Sequence, residues 1–540
     1  MFNHFFGGGW LNGQSRGIAM PALIVAVSSL ISRLLGILRD WLLAERFGAG
    51  PELDIYYAAF RVPDFIYNIL VFGGITVAFL PLFSEYYKKS AAEARRFANN
   101  LLNVFFIFLA AAGLIGFVFA PQLTAIIAPG FLPVQMEQTA ALTRLMFLSP
   151  LIFGVASIFS GILQYFKRFF AYSLAAPLYN LGIIAGIVFL APAMGIMGVA
   201  IGVIGGALAY LAIQIAPAIK SGFVWRPVFD PGAPALKRVW KMMLPRMAGI
   251  AANQINLIAP VFIASGLAAG SIAVFNLANN IFSLPAGIIG VSYATASFAL
   301  FSKYFAENRI NELAQKFSQT FRQIGFFVLP AAIMIFLLRA PLVEFLYRRG
   351  EFGDEAAALT AACLGIFCLG IYFSSVLPVM FRLFFAMRDT FWPTVSTIAA
   401  VAANLAMNVW FVAAMQNGGA VFVRRIFDLP EGDIAVLGLA LAYGIANILQ
   451  FFLLFIFLFG KNRELVKTKE IFVSFIKCAS AGILAGIALY WTIGISAFEN
   501  AGSLAILAIG ALVFAPVYVL AAMLLESPEA AAIKKLLARR

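Results

Sequence analysis

Long apolar segments recur along the chain, separated by short polar or Gly/Pro-containing breaks. A helix needs about 20 apolar residues to cross the hydrocarbon core of a bilayer. With charged residues, Pro and Gly taken as boundaries, the pattern predicts fourteen spans, which begin near Ala19, Asp54, Phe97, Glu137, Ala171, Gly195, Lys237, Gly270, Ile310, Gly353, Thr390, Asp433, Ile471 and Ala501. We therefore predict an all-α polytopic membrane protein.

The second and eighth predicted spans end in similar sequences, FSEYY (83–87) and FSKYF (301–305), which lie 218 residues apart (301 − 83). Further back, TVAFLPLFSEYY aligns with TASFALFSKYF with one gap, and a GAG (48–50) or AAG (268–270) turn precedes each span. The two copies are therefore six spans apart and share one orientation. Six-helix units repeated in parallel are a transporter architecture, with a substrate site expected between the halves near mid-membrane.

This repeat divides the chain into parts. We expect an N-lobe of six spans (19–220), a C-lobe of six spans (237–460) and two appended spans (471–525). A short tail (1–18) precedes them, and an amphipathic tail (526–540) follows them and is expected to lie on the inner membrane surface. The longest external loop (416–433) gives no sign of a separate domain.

The basic residues predict the orientation, because short cytoplasmic loops hold an excess of Lys and Arg. With an even number of spans, most basic residues outside the spans fall on the side of the two termini. The other side holds only Arg46, Arg348, Arg349, Arg424 and Arg425. Both termini are therefore predicted to be cytoplasmic.

Composition agrees with this interpretation. Hydrophobic residues make up 63% of the 540 residues and charged residues 11%, and the mean hydropathy is +0.95. The one histidine and three cysteines show no metal-ligand or disulfide spacing, which argues against a zinc site or a histidine-dependent enzyme. The net charge of +14 is explained by topology and by attraction to anionic lipid, without a nucleic-acid partner.

The first two spans carry charges that need a partner or water. Arg39 lies seven residues before Arg46, about 10 Å at 1.5 Å per residue, so its side chain can reach the interface. Arg33 lies about 20 Å from that end and cannot. Charged side chains at mid-membrane usually face the bundle interior or a wet pathway. The candidate cavity residues in these spans are Arg33, Arg39, Asp40, Asp54, Arg61 and Asp64.

Two explanations of this set stay open. Asp40 follows Arg33 by seven residues and Arg61 follows Asp54 by the same spacing, which places each pair on one helix face. The charges can therefore pin the first two helices together. Alternatively, the arginines bind an anion such as a diphosphate, which guanidinium groups hold through paired hydrogen bonds. Pro63 is expected to kink the second span beside them.

The second copy of the repeat carries amides where the first carries charges. Asn276, Asn279 and Asn280 on the eighth span give the predicted cavity a neutral, hydrogen-bonding wall. Asn404 and Asn408 are spaced i, i+4 on the eleventh span. Their oxygens can help to coordinate a small cation, or the amides can bond between helices.

Several stretches resemble a known family. SRLLGILRDWLLAERFGAG and AFRVPD (within 32–64), APGF (128–131), ASGLAAGSIAVFNLANNIFSLPAGIIGVS (264–292) and FFAMRDTFWPT (384–394) resemble, in register, the peptidoglycan lipid II flippases (MurJ, also called MviN) of the multidrug/oligosaccharidyl-lipid/polysaccharide exporter superfamily. The resemblance spans most of the chain. It implies fourteen helices, two of them appended to a twelve-helix core.

The resemblance also implies a function. Members of the family export undecaprenyl-diphosphate-linked MurNAc-pentapeptide-GlcNAc (lipid II) across the cytoplasmic membrane by alternating access. By position, Arg33, Arg39, Asp54 and Arg61 match the charged cavity that would grip the diphosphate, and the last two helices would form a groove for the lipid tail. No cofactor is implied; the driving force would be the membrane potential or Na⁺, with Asn404 and Asn408 at the sodium site. We expect a monomeric transporter, not an enzyme.

Some positions depart from the family pattern. Tyr67 stands where many relatives have an arginine, Phe72 where they have an acid, and Asn280 where the eighth helix usually has an arginine. An exporter of another polyprenyl-diphosphate-linked glycan and a drug/cation antiporter of the same superfamily are the alternatives. A membrane glycosyltransferase is disfavoured because the external acids lie in short loops without histidine. The charged first spans disfavour a scaffold with an apolar centre.

Overall fold

The computed structural model describes residues 19–417, 419–494 and 502–531. The predicted N-terminal tail (1–18) and residues 532–540 of the predicted C-terminal tail lie outside this part. The described residues form helices and no strand. The predicted all-α class is therefore confirmed.

The chain divides by its internal contacts into two compact units, one extending to Ile272 and the other beginning at Ala273. The helices of the first unit are α1 (Ala19–Phe47), α2 (Pro51–Ile66), α3 (Thr76–Lys89), α4 (Ala91–Val118), α5 (Ala120–Ile127), α6 (Pro133–Met146), α7 (Leu148–Tyr165), α8 (Phe169–Ala185), α9 (Ala191–Met194), α10 (Ile196–Lys220) and α11 (Pro234–Ala264). Helix α12 (Ser271–Pro285) begins at the boundary.

The second unit continues with α13 (Val291–Ala306), α14 (Ile310–Leu337), α15 (Arg339–Tyr347), α16 (Asp354–Ala386), α17 (Phe391–Gln416), α18 (Ala420–Phe427), α19 (Val436–Lys461), α20 (Thr468–Ile493) and α21 (Ser503–Leu524), with a 3₁₀ turn at Arg463–Leu465. Each of the fourteen predicted spans begins within a few residues of the start of a helix, and the spans from Asp54, Glu137, Ala171 and Gly270 cover two helices each. The largest error in a start is at Phe97, because α4 already begins at Ala91 behind the Ser90 cap.

The count of fourteen membrane spans is not confirmed. Twelve helical stretches in the described part of the chain are long and apolar enough to cross a membrane. The number rises to thirteen if Pro234–Leu244 and Gly249–Ala264, which are bent by 41° relative to each other, form one span. Helix α1, which carries Arg33, Arg39 and Asp40, is not among the twelve.

Helix α11 groups with the first unit, whereas the sequence analysis assigned 237–460 to the C-lobe. The packing explains the grouping. Arg238 on α11 forms a bidentate ion pair with Glu85 on α3, in which its two Nη atoms donate to the two carboxylate oxygens at 2.9 and 2.7 Å. Trp240 stacks on Phe105 of α4 with ring centroids 5.2 Å apart. These contacts hold the first half of α11 against α3 and α4.

The structure supports the internal repeat through an irregularity of the helices. A π-helical segment (Tyr67–Ile75) joins α2 to α3, and another (Ala286–Gly290) joins α12 to α13. The first starts four residues after Pro63 and the second directly after Pro285. Prolines disturb the regular ladder of helix hydrogen bonds, and π segments are frequent at functional sites. The second span therefore changes its winding near the position where a kink was predicted.

Helix α8 and the π-helical segment that follows it (Gly186–Leu190) approach α10 through glycines. A Cβ atom on Gly182 would lie 2.2 Å from the Gly206 Cα, and one on Gly186 would lie 2.7 Å from the Gly202 Cα. Small residues spaced by four let membrane helices pack backbone to backbone. Helix α1 packs against α8 as well, so α8 is held on two sides and can position the side chains described below.

Three asparagines of α4 hold the loop that follows α10. The Asn100 side chain accepts a hydrogen bond from the Asp230 backbone N–H (2.7 Å) and donates to the Asp230 carbonyl (2.8 Å). Asn99 accepts from the Arg226 N–H (2.7 Å), and Asn103 donates to the Arg226 carbonyl (2.8 Å). The asparagine side chains of α4 therefore hold the loop 221–233 by hydrogen bonds to the backbone of the loop.

Replacing Asn100 by alanine is expected to lower the thermal unfolding temperature of the purified protein and to speed proteolysis within 221–233. The variant loses two hydrogen bonds, each contributing about 0.5–1.5 kcal/mol, and leaves backbone groups of Asp230 without these partners. Gln319→Ala, at an exposed amide on α14, is the matched control. Equal unfolding temperatures and equal cleavage for the two variants would contradict the role of Asn100.

Candidate functional site

Arg39 and Asp40 form an ion pair on α1. The Arg39 Nε and Nη2 atoms donate to the Asp40 Oδ1 at 2.9 and 2.7 Å. Arg39 also donates to the Asn180 Oδ1 on α8 (3.3 Å), and the Asn180 amide donates to the Ser32 hydroxyl (3.1 Å). Asp40 is 5% exposed. The pair therefore fastens α1 to α8, and Asp40 is bonded to its neighbour Arg39, a contact that the helical spacing did not predict.

Arg61 and Asp64 lie one turn apart on α2, on the same side of the first unit as this pair. Asp64 interacts electrostatically with Arg61 and with Arg39. Both side chains are partly exposed, as is Arg33 on α1. Two arginines (39 and 61) and two aspartates (40 and 64) are therefore brought together in this part of the first unit. The partly exposed guanidinium of Arg61 is of the kind that binds anionic ligands through paired hydrogen bonds.

A cluster of aromatic rings, which the sequence analysis did not identify as a group, lies next to Asp64. The Phe153 ring contacts the rings of Tyr67, Tyr179 and Tyr210 at centroid distances of 5.1, 5.2 and 5.2 Å. Tyr67 and Tyr179 are within electrostatic range of Asp64. The three tyrosines are partly exposed, so part of each side chain can contact a ligand.

Of these four rings, the sequence analysis singled out only Tyr67, because it departs from the family pattern. The other rings come from α7, α8 and α10, which are far apart in the chain. No spacing along the chain links these rings, because only the packing of α7, α8 and α10 brings them together.

Asp54 has a different setting from Arg61 and Asp64. It lies in the first turn of α2, about 15 Å from Asp64 at 1.5 Å per residue, and is 3% exposed. Its Oδ2 accepts a hydrogen bond from the Gly270 backbone N–H at 2.7 Å. Gly270 has φ +89°, and a Cβ there would lie 2.0 Å from the Ala49 carbonyl oxygen. Asp54 therefore joins the GAG turn to the AAG turn, the two equivalent turns of the repeat.

A third loop, which contains Gly130, packs against the residues just before the AAG turn. The Gly130 N–H donates to the Ser265 hydroxyl at 3.1 Å, and a Cβ on Gly130 would lie 2.4 Å from the Gly266 backbone. Gly130 belongs to the APGF segment of the family resemblance. The loops after α1, α5 and α11 are thus closely packed within the first unit.

The predicted amides of the eighth span lie on α12 in the second unit. Asn276 is buried, at 9% exposure, and Asn279 and Asn280 are partly exposed. The Asn280 carbonyl accepts a hydrogen bond from the Ser283 hydroxyl at 2.9 Å. Two of these amides are therefore accessible for hydrogen bonding.

Asn404 and Asn408 are fully buried on α17, at 0% exposure. The Asn408 Oδ1 and Nδ2 atoms have no hydrogen-bond partner within the described residues. A buried, unsatisfied amide is costly and calls for an explanation such as an unseen ion or water. No group of three or more His, Cys, Asp or Glu residues with metal-binding geometry occurs in the part of the chain that is described.

The RDTFWPT segment (388–394) covers the turn between α16 and α17 and the first residues of α17. Asp389 accepts from the Phe391 N–H at 3.0 Å and pairs with Lys461 at the end of α19. Partial burial of Asp389 acts to raise its pKa, but the bonds from Lys461 and from the α17 backbone outweigh burial and hold the pKa below its usual value. Asp389 thus fixes the start of α17 to the end of α19.

This fold is that of a membrane transporter. A solved structure described as "Lipid II flippase MurJ, inward closed conformation" matches 93% of this chain and 98% of its own, with a TM-score of 0.76 at 22% identity. An inward-facing multidrug resistance MATE family transporter of the MOP superfamily matches 83% of this chain and 99% of its own, with a TM-score of 0.62 at 17% identity.

The sequence identifies the family. Residues 43–512 match the family described as Lipid II flippase MurJ, and the chain belongs to it. Among curated relatives, a "Probable lipid II flippase MurJ" of Buchnera aphidicola is 29% identical over 405 residues, which cover 74% of this chain and 79% of the relative. The "Lipid II flippase MurJ" of Burkholderia cenocepacia is 25% identical over 407 residues, with the same coverage of both chains. The resemblance seen in the sequence is confirmed.

Proposed function

We propose that this protein is a lipid II flippase, which moves undecaprenyl-diphosphate-linked disaccharide-pentapeptide across the cytoplasmic membrane by alternating access, for cell-wall synthesis. The observation that carries the proposal is the cluster of Arg39, Arg61, Asp40 and Asp64 inside the first unit, with a further partly exposed arginine, Arg33, on the same helix as Arg39. Membership of the flippase family supports a transporter, not an enzyme. Undecaprenyl diphosphate carries the anion that such a cluster fits.

The side chains of the cluster have different tasks in this proposal. Arg39 is already bonded to Asp40 and Asn180, so it positions α1 against α8. Arg61 and Arg33 bind the diphosphate, since guanidinium groups form charge-assisted, paired hydrogen bonds with phosphate oxygens. The exposed edges of Tyr67, Tyr179 and Tyr210 contact the sugars next to the diphosphate. Aromatic rings with polar tips suit a ligand that has both apolar faces and hydroxyls.

The hydrophobic tail of the substrate needs a separate path. Helices α20 and α21 present large exposed apolar side chains, among them Ile483 (56%), Ile487 (50%) and Leu512 (75%). We assign the lipid tail to this surface, in line with the family resemblance. The protein works as a monomer in the inner membrane with both termini in the cytoplasm, an orientation supported by the basic residues of the loops.

A different lipid-linked glycan is the second candidate substrate. Tyr67 and Asn280 replace residues that are basic in many relatives, so this chain offers fewer charges to a headgroup. An exporter of another polyprenyl-diphosphate glycan would keep the same arginines and change these two positions. A drug/cation antiporter is a further alternative, and it is disfavoured by membership of the lipid II flippase family.

Complementation of a bacterial strain that lacks its own lipid II flippase tests the proposed function. A bacterial strain in which the native lipid II flippase is depleted should resume growth and keep its shape when it expresses this chain. The Arg61→Ala variant, expressed at the same membrane level, should fail to restore growth. Failure of the intact chain, present in the membrane, to support growth would contradict the proposal.

We further propose that Na⁺ binds at Asn404 and Asn408. The expected result is a higher unfolding temperature of the detergent-solubilised protein in NaCl than in KCl at equal ionic strength, because a ligand that binds only the folded state stabilises it. Asn408→Leu should remove this difference. Asn447→Ala, which alters a partly exposed amide that donates to the Tyr443 carbonyl of its own helix, should keep it. The same unfolding temperature of the intact protein in both salts would refute the site.

A further inference from the structure

The short helix α18 (Ala420–Phe427), in the longest predicted external loop, has two contrasting faces. Successive residues of a helix are rotated by about 100°. Val421, Phe422, Arg425 and Ile426 therefore occupy one face, and they are the exposed residues of the helix. Val421, Phe422 and Ile426 are 66%, 71% and 50% exposed. The other face, which includes Val423 and Phe427, is partly buried.

The partly buried face fixes the helix to the rest of the second unit. The Phe427 ring lies 5.2 Å from the guanidinium of Arg339, the first residue of α15. Phe427 also lies close to Gly365 of α16, where an added Cβ would approach its ring to 2.7 Å. Arg424 donates to the Gly432 carbonyl and so closes the loop behind the helix. The direction of the exposed face is therefore set by packing.

The exposed face lies close to a bilayer surface. Helix α17, a candidate membrane span, ends at Gln416, and α18 begins at Ala420. The intervening residues allow at most about 14 Å between the two helix ends. Near its end, α17 exposes Val409 (63%) and Trp410 (65%), and tryptophans are enriched at the level of the lipid headgroups. The apolar face of α18 and the lateral surface of α17 are thus near neighbours.

Arg425 gives this face its charge. It stands between Val421 and Phe422 in the helical projection and is exposed. On the predicted external side basic residues are scarce, and Arg424 and Arg425 form one of its two pairs. A helix with large apolar residues and an arginine on its free face matches segments that lie in the interface, with apolar side chains among the acyl chains and the cation at the phosphates.

We propose that α18 is an interfacial helix whose exposed face lies in the outer leaflet, with Val421, Phe422 and Ile426 among the acyl chains and Arg425 at an anionic phospholipid headgroup. The helix would hold the ends of α15, α16 and α17 at a fixed depth. This assignment depends on the fold and on the location of the ends of α17 and α19, and it does not require any particular transported substrate.

Site-specific labelling tests the proposal. The full-length protein with Phe422→Cys is labelled with an environment-sensitive fluorophore; the native cysteines 363, 368 and 478 are buried. Glu431→Cys, at an exposed acidic residue in the same loop, is the matched control. In phosphatidylglycerol-containing vesicles, acyl-chain spin-labelled lipids should quench the probe at 422 severalfold more than the probe at 431. Adding Arg425→Ala should reduce the quenching at 422.

Two results would overturn the proposal. Equal quenching at 422 and 431 would show that the face does not enter the lipid. A probe at 422 that is shielded from a water-soluble quencher even in detergent, with no quenching by spin-labelled lipid, would show that a protein surface or a second copy of the chain covers it. Since neither result depends on transport, a failure here leaves the proposed function standing.

Discussion

Replacing Arg61 by alanine is expected to abolish transport of a diphosphate-linked lipid while the protein still inserts and folds. Two charge-assisted hydrogen bonds to a phosphate contribute about 1.5–3 kcal/mol each, so the affinity for the diphosphate should fall about a hundredfold or more at 1.4 kcal/mol per factor of ten. The measurement is binding of lipid II to the purified protein, together with its movement across vesicle membranes.

Two variants separate binding from folding. Arg61→Lys keeps the charge but not the paired geometry, so it should retain part of the affinity. Arg39→Ala should instead destabilise the protein by about 3–5 kcal/mol, since it removes the guanidinium bonded to the buried carboxylate of Asp40. If Arg61→Ala binds lipid II as the intact protein does, Arg61 does not hold the diphosphate.

Gly270→Ala is expected to disrupt the packing of the loops around Asp54 and to stop transport. At φ +89° any side chain is strained, and the added Cβ would lie 2.0 Å from the Ala49 backbone oxygen. Strain of this kind costs about 1–3 kcal/mol before the clash is counted. Asp54→Ala should act in the same direction, because it leaves the Gly270 N–H without its carboxylate partner. Thermal unfolding and the accessibility of cysteines placed in 48–50 measure both effects.

The matched control is Gly205→Ala on α10. A Cβ at Gly205 meets no described atom within 4 Å, so this variant should unfold and transport as the intact protein does. Asp54→Asn keeps an oxygen acceptor, so its unfolding temperature should lie between those of the intact protein and of Asp54→Ala. A Gly270→Ala protein with unchanged unfolding, cysteine accessibility and transport would show that the turn contact around Asp54 is dispensable.

The positions of the helices could be predicted from the sequence, because apolar segments of membrane length and Pro or Gly boundaries are local features. Pro51, Pro133 and Pro234 each stand in the first turn of a helix, where proline is tolerated. Gly195, with φ +58°, separates α9 from α10, as expected for two spans with almost no loop. The repeat was also recognisable, since FSEYY and FSKYF end equivalent helices.

The partners of the charged residues could not be predicted in the same way. Helical spacing placed Arg33 and Asp40 on one face, but it did not predict that Arg39 turns back on Asp40 or that Asn180 on α8 completes the contact. Asp54 binds the backbone of a residue 216 positions away, and no side chain marks such a partner in the sequence. The ring cluster around Phe153 is equally non-local. Tertiary packing decides these contacts.

The most direct test is transfer of lipid II by the purified protein in vesicles. With lipid II labelled on its headgroup and placed in the inner leaflet, the account predicts that the label reaches an impermeant quencher outside much faster with the intact chain than in protein-free vesicles. Arg61→Ala should match the protein-free rate, and a glycan carried on a polyprenyl monophosphate should move poorly. Transfer by the intact chain no faster than in protein-free vesicles would contradict the account.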